Sequence, residues 1–254
     1  MLQILQFKCL KDNYGFLIKD LNTNKALCID TPDSGEIMAF AKKNNLIISE
    51  VWNTHWHADH AGGNQAIKDE FGAVLKGPEE VLKHGFPLDE VVSPGGTLSF
   101  GGHMVKILNL GGHTLGQIGY YFIDLGFVFV GDALFVLGCG RLFEGDAKLA
   151  WGGLEVLKTL PHETLVYCAH EYSAANARFC ESLGLSNAEL AARITEIDEL
   201  TAKSIPTVPT TIGIELKTNP FLLADYENLK SELGQAGKPD FEIYGYIRGL
   251  KDKF

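Results

Sequence analysis

The sequence predicts an α/β domain followed by a helical region, and three observations lead there. Residues 1–172 alternate short apolar strands with turns and helices. From residue 173 onward helix formers dominate and the strand pattern fades. Histidines and aspartates suited to chemistry gather where the predicted strands end. The expected division is therefore a catalytic domain over residues 1–172 and a helical domain over residues 173–254.

LQILQF, GFLIKD and KALCID, separated by the turn-like DNY and NTN, fit an antiparallel meander. A helix fits Gly35 to Asn45, with Ile37, Phe40 and Ala41 on one face. ISEVWNT reads as a buried strand running into a histidine cluster. Asn64 to Phe71 suits a second helix, and GAVLKG a further strand. HMVKILNL, IGYYFI and FVFVGD are strands interrupted by the glycine-rich turn LGGHTLG. Lys148 to Leu160 has the period of an amphipathic helix, and TLVYCAH is a strand ending on His170. Ser173 to Ser204 is helical, SIPTVPTTIGIELKTNPF is a proline-bearing loop, and two helical stretches complete the chain.

Composition narrows the function classes. Hydrophobic residues make up 46% of the 254 residues and charged residues 21%, the balance of a globular enzyme. The formal net charge of -10 argues against binding duplex nucleic acid, which requires neutralising phosphates. An anionic substrate would need a local cationic patch. The five cysteines include no CxxC pair, so neither a disulfide framework nor a thiolate metal site is indicated. With no basic leader pattern and no run approaching about 18 apolar residues, the expectation is a cytoplasmic protein without membrane contact.

The segment Thr54–His60 places His55, His57, Asp59 and His60 within six residues. From the chain's own composition this HxHxDH pattern would arise by chance about 4 × 10⁻⁴ times per chain. In extended backbone the first two rings project to one side, because side chains repeat every second residue. Asp59 and His60, in the turn that follows, can serve a neighbouring ion. His113, Asp132 and His170 also follow strands. Seven donors exceed the four of one tetrahedral zinc and suit two ions. His55, His57 and His113 would hold one, and Asp59, His60 and His170 the other. Asp132, with two carboxylate oxygens, is the natural bridge. Such a pair lowers the pKa of bound water to roughly 7 and supplies a nucleophile without Ser or Cys, which indicates a hydrolase. His84, His103 and His162 read as solvated residues outside this set.

THWHADHAGGN, GGHTLGQIGYY, FVGDALF, GCGRLFEG, YCAHEYS and TNPF occur in this order. Together they resemble the metallo-β-lactamase superfamily and, within it, the glyoxalase II (hydroxyacylglutathione hydrolase) family, across essentially the whole chain. The resemblance implies an αββα sandwich of two mixed sheets with outer helices, then a helical domain that helps bind glutathione. It implies hydrolysis of S-D-lactoylglutathione and related thioesters by a hydroxide held between two metal ions, in methylglyoxal detoxification. Zinc is foremost, with iron or manganese accepted by the same donors. Asp59 and Asp132 become the catalytic carboxylates among the seven ligands. Arg141, Phe143, Tyr172, Arg248 and Lys251 fall where the family contacts glutathione. The expected substrate is thus a small glutathione thioester, and the expected state a monomer.

Gly111, Gln117, Ala169 and Leu223–Ala224 depart from the usual family pattern, and none is a proposed ligand. The competing expectations are a single-iron persulfide dioxygenase, a lactonase or a β-lactamase of the same superfamily, or a metal-binding scaffold without catalysis. The helical region with TNPF and the complete donor set argue against them.

Overall fold

The computed structural model describes all residues, 1–254. Its strands include one six-stranded sheet, formed by the first six in chain order, and one two-stranded hairpin. Compactness divides the chain into Met1–Asn109 with Gly116–Leu125, and Leu110–Leu115 with Gly126–Phe254. This division follows contacts, whereas the boundary near residue 172 follows sequence character. Residues beyond 172 are bound closely to the strands and hairpin that precede them, as shown below.

The first unit begins with β1 (Leu2–Cys9), β2 (Asn13–Asp20) and β3 (Lys25–Ile29), the expected antiparallel meander. Parallel pairing continues the sheet from β3 to β4 (Ile47–Trp52), β5 (Val74–Gly77) and β6 (Glu90–Val91). The crossovers hold α1 (Ser34–Lys43), α2 (Ala58–Ala61), α3 (Asn64–Phe71) and α4 (Glu79–Lys83). Ile37 and Ala41 of α1 and Ile67 of α3 join Leu17, Cys28, Ile48, Val51 and Leu75 in one core. Alternation along β4 sends neighbouring Trp52 to the other face. There its ring meets Phe100, Tyr120 and Phe122. Those residues belong to an antiparallel meander of β7 (Thr97–Phe100), β8 (His103–Asn109) and β9 (Ile118–Phe122). In β8, Val105 and Ile107 are buried while Met104 and Lys106 are exposed, and such one-sided burial specifies register strongly.

In the second unit, β10 (Phe127–Gly131) is followed by the hairpin β11 (Leu134–Phe135) and β12 (Gly138–Cys139). Then come α5 (Ala147–Lys158), β13 (Leu165–Cys168), α6 (Ser173–Ser182) and α7 (Ala188–Ala202). β14 (Thr210–Thr211), α8 (Ile212–Thr218), α9 (Glu227–Glu232) and α10 (Asp240–Lys251) complete it. β10 pairs parallel with β13, and all five residues of β10 are buried, as in a strand covered on both faces.

The expected loop SIPTVPTTIGIELKTNPF needs correction. Its centre holds β14, paired antiparallel with β13 at Val166–Thr210 and Leu165–Thr211. A helix follows, because the Thr211 hydroxyl accepts from the Ile214 N–H and caps α8. Two prolines and a threonine-rich run masked this cap and this edge strand in the sequence.

Side-chain caps also explain where other helices start. Asp33 accepts from the Glu36 N–H at 2.8 Å and opens α1, Asp146 opens α5, and Asn187 opens α7. Removing the first of these, Asp33→Ala, is expected to destabilise the protein by about 1 kcal/mol. A urea melt should show a lower midpoint with an unchanged slope.

Candidate active site

β4 delivers the chain into the histidine cluster through Asn53, Thr54 and His55, all fully buried. The cluster is held by a residue that sequence reasoning did not single out. Asp30, at the end of β3 with φ 57°, is buried and uses both carboxylate oxygens. Oδ1 accepts from the Thr54 N–H at 2.7 Å. Oδ2 accepts from the Thr54 hydroxyl at 2.8 Å and faces His60 Nδ1 at 2.9 Å. The Thr54 hydroxyl in turn lies 3.0 Å from His55 Nδ1. With Nδ1 engaged, each ring keeps Nε2 for a ligand, the usual arrangement behind metal-binding imidazoles. A signal did exist in the sequence: Asp30 follows an apolar strand, as the proposed ligands do.

Asp59 and His60 lie on the short helix α2, not in the expected turn, and His57 precedes it as its N-cap. Asn13 Nδ2 donates to Asp59 Oδ2 at 3.1 Å, and His60 Nε2 is 3.6 Å from that oxygen. His55 Nε2 and His57 Nδ1 stand 3.1 Å apart. Two imidazole nitrogens each 2.0–2.1 Å from one tetrahedral ion would be about 3.3 Å apart. The pair therefore has the spacing of two ligands on a common ion.

In the second unit, Asp132 follows β10, and His170 lies two residues beyond β13. Asp132 Oδ2 is 3.5 Å from His113 Nε2, while Oδ1 is 3.5 Å from His170 Nε2. One carboxylate thus turns an oxygen to each of two histidines. All three side chains are buried. His113 Nδ1 is fixed by the Arg141 carbonyl at 2.7 Å, and the His170 ring stacks on Tyr172 at 4.7 Å. Gly140 makes this approach possible. A Cβ there would stand 2.1 Å from the Asp132 carbonyl oxygen and 3.0 Å from His113 Nδ1.

His55, His57, Asp59 and His60 in the first unit, and His113, Asp132 and His170 in the second, are residues that could hold a metal ion. Imidazoles with Nδ1 anchored and two carboxylates make a donor set that fits divalent transition metals. The other three histidines lie outside these sets. His84 is exposed and stacks on Trp56 at 3.7 Å, His103 pairs with Asp124 at 2.7 Å, and His162 is exposed.

Asp132 and His113 also open onto a cleft of about 350 Å³. Arg141, Phe143, Tyr172, Arg248 and Lys251 all line it. Their states differ. Arg141 and Phe143 are exposed, whereas Arg248 is 6% exposed. The Arg248 guanidinium bonds the Cys139 carbonyl at 2.9 Å and Asp252 at 3.0 Å. Lys251 is half-buried; desolvation, then the neighbouring Arg248 charge, lowers its pKa to about 8.

The family described as "Hydroxyacylglutathione hydrolase C-terminus" matches residues 171–254, and the metallo-β-lactamase superfamily matches residues 14–170. The whole chain is 43% identical to a hydroxyacylglutathione hydrolase of Hyphomonas neptunium, covering 99% of it, and 45% identical to that of Erythrobacter litoralis, covering 100%. The chain belongs to the hydroxyacylglutathione hydrolase family. Its fold is the metallo-β-lactamase fold, with mixed sheets and a C-terminal helical region. The structure of ETHE1 from Myxococcus xanthus is similar over 98% of this chain and 90% of that one, with a TM-score of 0.68 and 26% identity. Asp30 orients His60 directly and His55 through the Thr54 hydroxyl. Asp30→Ala is expected to weaken metal binding 10–100-fold, measured by chelator competition on folded protein.

Proposed function

We propose that the chain hydrolyses S-D-lactoylglutathione and related S-2-hydroxyacylglutathiones to the 2-hydroxy acid and free glutathione, in methylglyoxal detoxification. The observation that carries this reading is the cleft, in which two proposed metal ligands share walls with three cationic side chains and Phe135, Phe143 and Tyr172. Full-length relatives named hydroxyacylglutathione hydrolase support it. We assign His55, His57 and His113 to one divalent ion and Asp59, His60 and His170 to a second, with Asp132 shared; zinc is the metal this donor set favours. Bound there, the ions would lower the pKa of a water to roughly 7 and polarise the thioester carbonyl.

The chain's own residues do the rest. Glutathione has two carboxylates, and Lys251 and the exposed Arg141 can offer them charge-assisted hydrogen bonds. Arg248, with two nitrogens already committed, shapes the wall from which Lys251 projects. Phe143, edge-on to His113 at 5.3 Å, provides an apolar lip. A thiolate whose parent thiol has a pKa near 8.5 departs without a strong general acid. Residues 173–254 act as the glutathione-binding domain and residues 1–172 as the catalytic one, a reading supported by Ala175, Asn176, Arg248 and Lys251 in the cleft. We propose that the protein is a monomer. No helix is long and apolar enough to cross a membrane, and five buried free thiols suit the reducing cytoplasm.

Purified protein is expected to carry about two metal ions per chain and to hydrolyse S-D-lactoylglutathione until a chelator removes them. Oxygen uptake with glutathione persulfide, and no thioester turnover, would instead identify a dioxygenase.

Lys251 gives a second test. Its ammonium form grips a carboxylate, and its pKa is lowered to about 8. KM should therefore be lowest below pH 8 and climb as the pH rises past it. Lys251→Ala should raise KM roughly tenfold at pH 7, leave kcat little changed and abolish that inflection. Wild-type KM in the variant would remove Lys251 from the glutathione site.

A further inference from the structure

We infer that Glu215 and Asn219 are positioning residues for the active site, acting through the hairpin β11–β12. The inference uses the proposed reaction for one of its readouts and stands on geometry for the others. The hairpin leaves Asp132 by two residues and reaches Arg141, whose carbonyl fixes His113, two residues after it ends. Between those points it places Phe135 and Cys139 in the cleft wall. Phe135 also sets its ring edge against His170 at 5.9 Å and Tyr172 at 5.2 Å.

A hairpin of two-residue strands has little ladder of its own. What holds this one is the set of residues beyond 172. Five consecutive carbonyls accept from their side chains. Phe135 O accepts from Asn219 Nδ2 at 3.2 Å, Val136 O from Asn176 Nδ2 at 3.0 Å, and Leu137 O from Cys180 Sγ at 3.4 Å. Gly138 O accepts from Asn219 Nδ2 at 3.0 Å, and Cys139 O from Arg248 Nη1 at 2.9 Å. At the tip, Leu137 adopts φ 54°, a left-handed conformation unfavourable for a leucine. Its N–H donates to Glu215 Oε2 at 2.9 Å. The same oxygen lies 2.9 Å from Asn219 Nδ2, whose two N–H groups are shared between it and the two hairpin carbonyls, and Oε1 accepts from the Thr210 hydroxyl at 2.8 Å.

Glu215 and Asn219 are both fully buried. Burial pushes the Glu215 carboxyl upward, against the hydrogen bonds that oppose it. A carboxylate and a carboxamide placed in the core at that cost, and aimed at one loop, define that loop. Asn219 spans both strands because it is the C-cap of α8, where the chain leaves helical geometry and the carboxamide can reach two carbonyls three residues apart. Gly138 completes the fit, since a Cβ there would lie 2.4 Å from Asn176 Nδ2. The Asn of TNPF thereby sets the path of the chain between Asp132 and the carbonyl that orients His113.

The test compares wild type with Asn219→Leu, which removes both donors at similar volume, and Glu215→Gln. The latter keeps an oxygen for Leu137 and Asn219 while its amide donates to Thr210. Metal affinity is read by chelator competition, hydrolysis of S-D-lactoylglutathione by kcat and KM, and the hairpin by hydrogen exchange at the Leu137 amide. In Asn219→Leu, metal affinity should fall at least about tenfold, and kcat roughly ten- to a hundredfold, with KM within about threefold. Exchange at Leu137 should accelerate at least about tenfold relative to Phe129. Glu215→Gln should stay near wild type on all three. A folded Asn219→Leu with wild-type metal affinity and kcat would overturn the inference. If that variant does not fold, Asn176→Ala, which frees only the Val136 carbonyl, decides; unchanged metal affinity and Leu137 exchange there would overturn it equally. Should wild type fail to cleave the thioester, the reaction proposed above falls, while metal affinity and exchange still judge the clasp.

Discussion

A buried imidazole ligates best through one nitrogen when the other is hydrogen-bonded, and much of this structure follows from providing that second partner. Asp30 provides it for His60 directly and for His55 through the Thr54 hydroxyl. The Arg141 carbonyl provides it for His113. Each partner lies far along the chain from its histidine, so each fixes the path of a loop as well as a ring. Asp30 can reach Thr54 because β3 and β4 are parallel neighbours whose ends emerge side by side. Gly140 is required because the backbone passes too close to Asp132 and His113 to admit a side chain.

The same economy governs the cleft. Its cationic side chains are not equivalent, although three of them line one wall. Arg248 is buried and bonds the Cys139 carbonyl and Asp252, while Lys251 is half-buried, donates to the Ala175 carbonyl at 3.1 Å and has its pKa lowered to about 8, chiefly by desolvation. Arg141 is exposed and bound only to Asp252 at 3.4 Å. In a chain of net charge -10, Arg141, Arg248 and Lys251 come together along one cleft. The helices beyond residue 172 contribute two of these cations and hold the hairpin that lines the cleft wall.

Much of this was legible before any coordinates. Strand periodicity gave the meander from β1 to β3 and placed α3 over Asn64–Phe71, because alternation and helical spacing are local properties of the chain. Residue chemistry singled out seven candidate donors, since three imidazoles and a carboxylate in six residues have few other uses. β14 and α8 were hidden inside a proline-bearing segment, where the Thr211 cap and pairing with β13 outweigh weak local propensity.

What the sequence alone determined, then, was which residues are candidate donors and their place at strand ends, because those depend on side-chain type and on periods of two and 3.6 residues. What only the tertiary structure decided was how each donor is aimed. Asp30 looks like an ordinary strand-end aspartate, Asn219 like one residue of a turn, and Arg248 like the twin of Lys251 three positions later. Their roles arise from hydrogen bonds across 24, 84 and 109 residues of chain. Contacts at such separations leave no periodic trace, because they are set by which backbone groups the packed elements leave without partners.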